Sequence, residues 1–263
     1  MKFFQLLLLS LIASPVLAKD CDDFLKINFE NVYVSEARLI KKVEDLPSFC
    51  KVRGIIEPNI GFEARLPHKN WNGKFFQAGC GGFCGLIEPD RTSQSNAINH
   101  ALRKGYAVIT TNGGHEGKHL GDADWAKNDP SAREVYAYSV IKFTYDAGHK
   151  LIREYFNLEP SFSYFSGCSN GGRLAVKAAQ IYPDLFNGII SGCPILNLTE
   201  NAGIFGPWLL QANLDERKNE ILTNKFNSKL IWLEEYVLVK CDGLDGFEDQ
   251  VIQNVKDCNL TFE

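Results

Sequence analysis

Apolar and polar positions change rhythm twice along this chain. Between residues 37 and 66, three short apolar runs (37–43, 49–57 and 61–66) are set apart by Pro47 and Pro58 and closed by Pro67. That pattern predicts short strands forming an antiparallel entry to a sheet. From Trp71 onward, strand-like and helix-like stretches alternate: strand 74–78, helix 93–104, strand 106–111, a long helix 132–155, strand 163–166, helix 173–181 and strand 188–191. Such β-α-β-α order builds a mainly parallel, doubly wound α/β sheet. Past Pro194 the alternation stops. Residues 196–238 suit helices, and 241–263 are polar and loop-like. The expected organisation is a leader over 1–18, an α/β core over 19–195, and the start of an inserted lid over 196–263.

The leader reading comes from Lys2, an apolar run over 3–12 and the small-residue end Val16-Leu17-Ala18, the pattern of a secretory signal peptide. The run is too short to span a bilayer, and no later segment offers a span. A secreted or periplasmic location follows as the expectation. All eight cysteines lie after the leader, and an even count in an exported chain favours disulfides over a metal or redox site. Cys80-x-x-x-Cys84 lacks the zinc-knuckle spacing, and no histidine lies near Cys241 or Cys258. The 263 residues are 45% hydrophobic and 23% charged with a formal net charge of −4, which describes a globular core and argues against a nucleic-acid or anionic-membrane partner.

Candidate chemistry centres on Ser169, within Gly167-Cys168-Ser169-Asn170-Gly171-Gly172-Arg173. A G-x-S-x-G run between a strand and a helix is a nucleophile elbow: small flanking residues let the chain turn sharply and push the hydroxyl out of the sheet. The helix that follows has free N–H groups in its first turn, so the Asn170 amide is placed to hold an oxyanion. In a parallel sheet, ligands bind beyond the carboxyl ends of the strands. The glycine-rich loop 79–85 is the expected source of a second oxyanion N–H, with Gly81 and Gly82 as candidates. The loop 112–119 carries His115, a structural hydrogen-bonding group more readily than a general base. A separate acidic run, Asp242-Gly243-Leu244-Asp245-Gly246-Phe247-Glu248-Asp249, interleaves hard oxygen donors with glycine. It lacks the EF-hand pattern, and its spacing suits either a structural calcium loop or a solvated acidic turn.

Several stretches together resemble the tannase and feruloyl esterase family of secreted α/β-hydrolases: Trp71-Asn72-Gly73-Lys74, the loop 79–85, residues 110–115, Trp125, residues 164–173, Ala179-Gln180 with Tyr182-Pro183, and residues 241–249. The resemblance implies a serine carboxylic ester hydrolase acting on small esters of aromatic acids such as ferulate or gallate. By position it makes Ser169 the nucleophile, and Asn170 with Gly81 or Gly82 the oxyanion donors. It makes the side chains of Asp242, Asp245 and Asp249 and the carbonyls of Phe247 and Val251 the calcium ligands. In that family the cysteine beside the nucleophile, here Cys168, is bonded to one beside the catalytic histidine. Expected pairs are Cys21–Cys50 and Cys241–Cys258, with Cys80, Cys84 and Cys193 competing for partners and Cys168 left over.

The chain departs from the family in one respect. The hydrolase order is Ser, Asp, His, yet His68, His100, His115, His119 and His149 all precede Ser169. The sequence stops inside the lid, before the position of the family's catalytic Asp and His-Cys pair, so an impaired esterase is expected. A serine peptidase on the same fold is a second reading, against which Cys168 and the acidic run speak. A non-catalytic, calcium-stabilised exported protein is the third.

Overall fold

The computed structural model describes residues 19–92, 95–221 and 227–261; the leader expected over 1–18 lies outside them. Among the described residues seven strands form one sheet: β1 (Val32–Ile40), β2 (Phe49–Ile56), β3 (Ile60–Pro67), β4 (Lys74–Ala78), β5 (Ala107–Thr111), β6 (Phe162–Cys168) and β7 (Gly188–Gly192), in the order β1-β2-β3-β5-β4-β6-β7. The β1-β2-β3 meander joins β5 antiparallel, whereas β5, β4, β6 and β7 run parallel. The sheet is therefore mixed, its parallel half being the one that leads to Ser169. Among the described residues both outer strands, β1 and β7, have a single partner, and Ile190 of β7 is 64% exposed.

Helices cover both faces. Phe76, Ala78 and Val108 pack with Ile98, Ala101 and Leu102 around α1 (Asn99–Arg103) on one side. On the other, Phe75 meets Tyr145 and His149 of α3 (Val140–Phe156), and Gly148 admits the ring where a Cβ would stand 2.6 Å from it. The long helix expected over 132–155 runs without a gap from Pro130 to Phe156 but is not α-helical throughout. A short α2 (Pro130–Glu134), capped by the Asp129 carboxylate on the Ala132 N–H, leads into a π-helical turn, Val135–Ser139, before α3. That turn widens the backbone so that the Tyr136 and Ala137 carbonyls can accept from Arg173 of α4 (Asn170–Ile181). Hydrophobic periodicity cannot register such a detail, because α- and π-turns bury nearly the same face. Likewise α1 is shorter than the expected 93–104, and Ser93 and Gln94 lie outside the described residues.

One buried ionic cluster fastens the meander to the core. Glu63 on β3 is fully buried; it accepts from Arg53 Nε of β2 at 2.5 Å and from Arg65 Nε at 2.7 Å. Arg65, itself buried, reaches Asp90 at 2.7 Å and lies over the Phe49 ring. A burial of this kind is tolerated only because each charge is paired and hydrogen-bonded.

The chain divides into two compact units, the first reaching Leu196 and the second beginning at Asn197. The second holds α5 (Leu198–Glu200), a π-helical turn, α6 (Gly206–Ala212), α7 (Asn227–Cys241) and a 3₁₀ turn, Asp242–Asp245, inside the expected loop. No described helix is long and apolar enough to cross a membrane.

Candidate active site

Ser169 joins β6 to α4 with φ 59° and ψ −119°, a conformation L-residues avoid. Close backbone packing enforces it. A Cβ on Gly167 would lie 2.5 Å from the Gly171 carbonyl, one on Gly171 would lie 2.9 Å from Gly79 O, and one on Gly172 would lie 2.2 Å from Gly192 O. The glycines of the motif thus let β6, α4 and the loop after β4 meet main chain to main chain. Ser169 itself is tied by its N–H to Gly192 O at 3.1 Å, and its carbonyl accepts the Arg173 N–H at 3.0 Å.

The loop after β4 is held against this elbow. Asn170 Nδ2 donates to Cys80 O at 3.0 Å and lies 3.3 Å from Cys84 Sγ, while its Oδ1 accepts from Arg173 Nε at 2.8 Å. Arg173 spends its other nitrogens on Ala137 O (2.7 Å) and Tyr136 O (2.9 Å) and lies 4.7 Å over the Tyr136 ring. Burial lowers the Arg173 pKa and raises that of Tyr136. The Tyr136 hydroxyl in turn donates to Gly82 O at 3.3 Å. Ser95 donates to Cys168 O at 2.7 Å, directly before the nucleophile position. Gly82 has φ +60°, and a Cβ there would meet Leu120 O at 2.4 Å. The structure therefore places Ser169, Asn170, Gly81 and Gly82 in one assembly. What the sequence reading missed is the side chain of Asn170, together with Arg173, Tyr136 and Ser95. The buried Arg at the fourth position after Ser169, on the first turn of a helix, was the available signal.

Four disulfides are formed: Cys21–Cys50, Cys80–Cys84, Cys168–Cys193 and Cys241–Cys258. Cys168 is thus not left without a partner, because Cys193 at the end of β7 stands 5.4 Å away, Cα to Cα, across adjacent parallel strands. Sequence separation gives no hint of that neighbourhood.

No histidine or carboxylate is hydrogen-bonded to Ser169 among the described residues. His115 is 4% exposed; its Nε2 donates to Phe83 O at 2.7 Å and its ring stacks on Trp125 at 3.6 Å. His68 contacts the Tyr155 hydroxyl, His100 packs edge-on against Phe76, His119 accepts from Gly121 N–H, and His149 contacts Ser163 and Glu159. Burial lowers the pKa of His100, His115 and His149, so the folded chain holds them neutral. A histidine with a depressed pKa contributes stability above its unfolded value of about 6.5, and that contribution is lost as pH falls below it. The thermal midpoint is expected to drop between pH 7 and pH 5, above the range where carboxylates protonate; an unchanged midpoint over that window overturns the assignment.

The acidic run of the second unit is a closed loop. Asp242 Oδ2 accepts from the Gln250 N–H (3.1 Å), Asp245 from those of Phe247 (3.0 Å) and Gln253 (3.2 Å), and Asp249 from that of Val251 (3.0 Å). Cys241–Cys258 closes its base. The carboxylates expected to converge on a cation are turned toward separate amides, and no three acidic, His or Cys side chains gather at metal distance among the described residues. Asp242 Oδ1 is buried with no hydrogen-bond partner. A buried carboxylate oxygen without a donor is a costly arrangement that a hard cation would relieve, and Asp242 is the one residue of the expected ligand set that presents such an oxygen among the described residues.

A mixed sheet with helices on both faces and a strand-serine-helix elbow at the carboxyl end of a parallel strand defines an α/β-hydrolase. The sequence pattern described as tannase and feruloyl esterase matches residues 43–263, and the chain belongs to that family. It is 32% identical over 254 residues to an uncharacterised esterase of Xanthomonas campestris, covering 91% of this chain and 42% of that protein. It is 30% identical over 240 residues to the mono(2-hydroxyethyl) terephthalate hydrolase of Piscinibacter sakaiensis, covering 83% and 40%. The crystal structure of feruloyl esterase B from Aspergillus oryzae superposes with a TM-score of 0.73 at 26% identity, covering 91% of this chain and 49% of that one. The chain therefore spans about two fifths to one half of the length of these relatives.

Proposed function

We propose that this is an exported carboxylic ester hydrolase that forms an acyl intermediate on Ser169, with small esters of aromatic acids as substrates. The observation that carries the reading is the elbow at Ser169, held by three main-chain contacts at Gly167, Gly171 and Gly172. In the reaction the Ser169 Oγ attacks the ester carbonyl, and the oxyanion that forms accepts from the Asn170 amide and from the amide of Gly81 or Gly82. The alcohol leaves with a proton, and water attack on the acyl-serine releases the acid. A base must remove the hydroxyl proton, and no described side chain is hydrogen-bonded to Ser169. Low turnover by this polypeptide alone follows. The aromatic acid is proposed on the names of the relatives, and export on the leader-like start together with four disulfides.

The test is chemical labelling. An aryl fluorophosphonate is expected to modify Ser169 slowly, and added imidazole, acting as a base in solution, to accelerate the reaction. Peptide mapping with a Ser169→Ala control locates the adduct. No adduct on Ser169, with or without imidazole, overturns the nucleophile assignment.

Calcium is proposed as a structural ion of the acidic loop, and the partnerless Asp242 Oδ1 supports that reading. When bound, the ion supplies positive charge to an otherwise uncompensated carboxylate. At 100 times its Kd it is expected to stabilise the chain by about 2.7 kcal/mol. A thermal midpoint that rises with calcium, falls with chelator and ceases to respond in Asp242→Ala is the expected result. Equal midpoints in calcium and chelator count against it.

A further inference from the structure

The oxyanion loop is closed on itself by a covalent bond. Cys80 and Cys84 flank Gly81, Gly82 and Phe83, and their disulfide makes a five-residue ring out of the segment that carries the candidate donors. Within the ring the Cys84 N–H donates to Gly81 O at 3.0 Å, a tight turn across the same residues. The Phe83 N–H is taken by Leu120 O at 2.7 Å. The amides of Cys80, Gly81 and Gly82 are the ring N–H groups with no acceptor among the described residues.

One side chain touches both ends of the ring. Asn170 Nδ2 donates to Cys80 O and lies against Cys84 Sγ, and the bond from Arg173 Nε to Asn170 Oδ1 fixes which end of the carboxamide faces the ring. A trans peptide points its C=O and N–H in opposite directions. Holding Cys80 O on Asn170 therefore turns the Gly81 N–H away from the Asn170 carboxamide and keeps it there. The same residue, Asn170, is the one whose own amide opens α4 beside Ser169. A side chain at Gly81 would be tight, since a Cβ would stand 3.0 Å from Ser95, the residue bonded to Cys168 O.

We propose that the Cys80–Cys84 disulfide and the Asn170–Arg173 pair are positioning groups for the proposed ester hydrolysis: together they aim the Gly81 N–H at the oxyanion. The inference rests on Ser169 being the nucleophile, and selects Gly81 over Gly82 as the second donor. The disulfide acts on the ring's conformation and takes no part in the chemistry.

The test begins with the untreated chain digested without reduction. Cys80 and Cys84 are expected in one internally bridged peptide; either cysteine bridged to Cys168 or Cys193 overturns the proposal. Fluorophosphonate labelling of Ser169 is then timed in the wild type, in Cys80→Ser/Cys84→Ser and in Asn170→Ala. Losing one well-aimed donor costs about 100-fold in rate, and both variants are expected to slow by that order. A reagent carrying P=S in place of P=O distinguishes positioning from general loosening. The oxygen-to-sulfur rate ratio is expected to collapse toward its value in solution, which a merely structural role leaves untouched. Labelling rates and ratios equal to wild type overturn the proposal. If the double cysteine variant does not fold, Asn170→Ala alone carries the same expectation. If Ser169 does not react even in the wild type, the nucleophile reading fails, and the positioning is judged separately by the amide nitrogen and proton shifts of Gly81: movement in Asn170→Ala supports it, and unchanged shifts overturn it.

Discussion

The 263-residue polypeptide is expected to hydrolyse aryl esters no faster than its Ser169→Ala variant. Its elbow is formed and the loop after β4 is packed against it, so the proposed nucleophile lies beside the proposed oxyanion amides. Among the described residues no side chain is hydrogen-bonded to Ser169 to take its proton. Each histidine is committed elsewhere: His115 to the Phe83 carbonyl and the Trp125 ring, and His149 to Ser163 and Glu159. Removal of a triad member costs roughly 10⁴- to 10⁶-fold in turnover even where the oxyanion donors survive. Initial rates on an aryl acetate and an aryl ferulate, compared between the two proteins, decide the matter. Multiple turnovers that vanish in Ser169→Ala require a base within the chain, with His115 the first residue to replace.

The second large effect is on stability. Glu63→Ala is expected to destabilise the fold by about 3–5 kcal/mol, the usual cost of leaving a buried charge without its partner. Glu63 is fully buried and serves both Arg53 and Arg65, so its loss strands the 4%-exposed Arg65 with Asp90 and Asn99 alone. Burial works against the Arg65 charge, and its bonds to Asp90 and Glu63 outweigh that, holding its pKa above the ordinary value. A fall in the thermal midpoint of roughly 10 °C corresponds to such a loss in a domain of this size. The control is Glu36→Ala, whose pairing with Lys51 is partly exposed and is worth about 0–1 kcal/mol. Equal midpoints for the two variants count against a structural role for the buried cluster.

The sheet, most of its strand positions and the elbow were legible because they are written in local pattern: alternation, proline breaks, and glycines where backbones touch; the first strand, expected over 37–43, instead begins at Val32 and ends at Ile40. Ser169, the glycine loop and the family resemblance all followed from contiguous stretches. Other features depend on residues distant in sequence meeting in space. The clasp of Asn170 on Cys80 spans 90 positions, and its two halves look unrelated in the chain. Cys193 gave no sign of adjoining Cys168, because the register of β6 against β7 decides it. The π-turn at Val135–Ser139 was hidden within an uninterrupted helical periodicity. The acidic run had the composition of a cation loop, yet its carboxylates cap local amides, a choice that backbone turns make and spacing does not encode.

The outer edge of β7 makes concentration a variable in every measurement on this chain. A strand with one partner presents a row of free N–H and C=O groups, and here Ile190 adds an exposed apolar side chain to it. An edge of this kind is a template on which a second copy can add strand to strand. Light scattering at rising protein concentration will therefore respond to Ile190→Lys before enzymatic or thermal assays do, and dilute solution is where the chain's intrinsic stability is read.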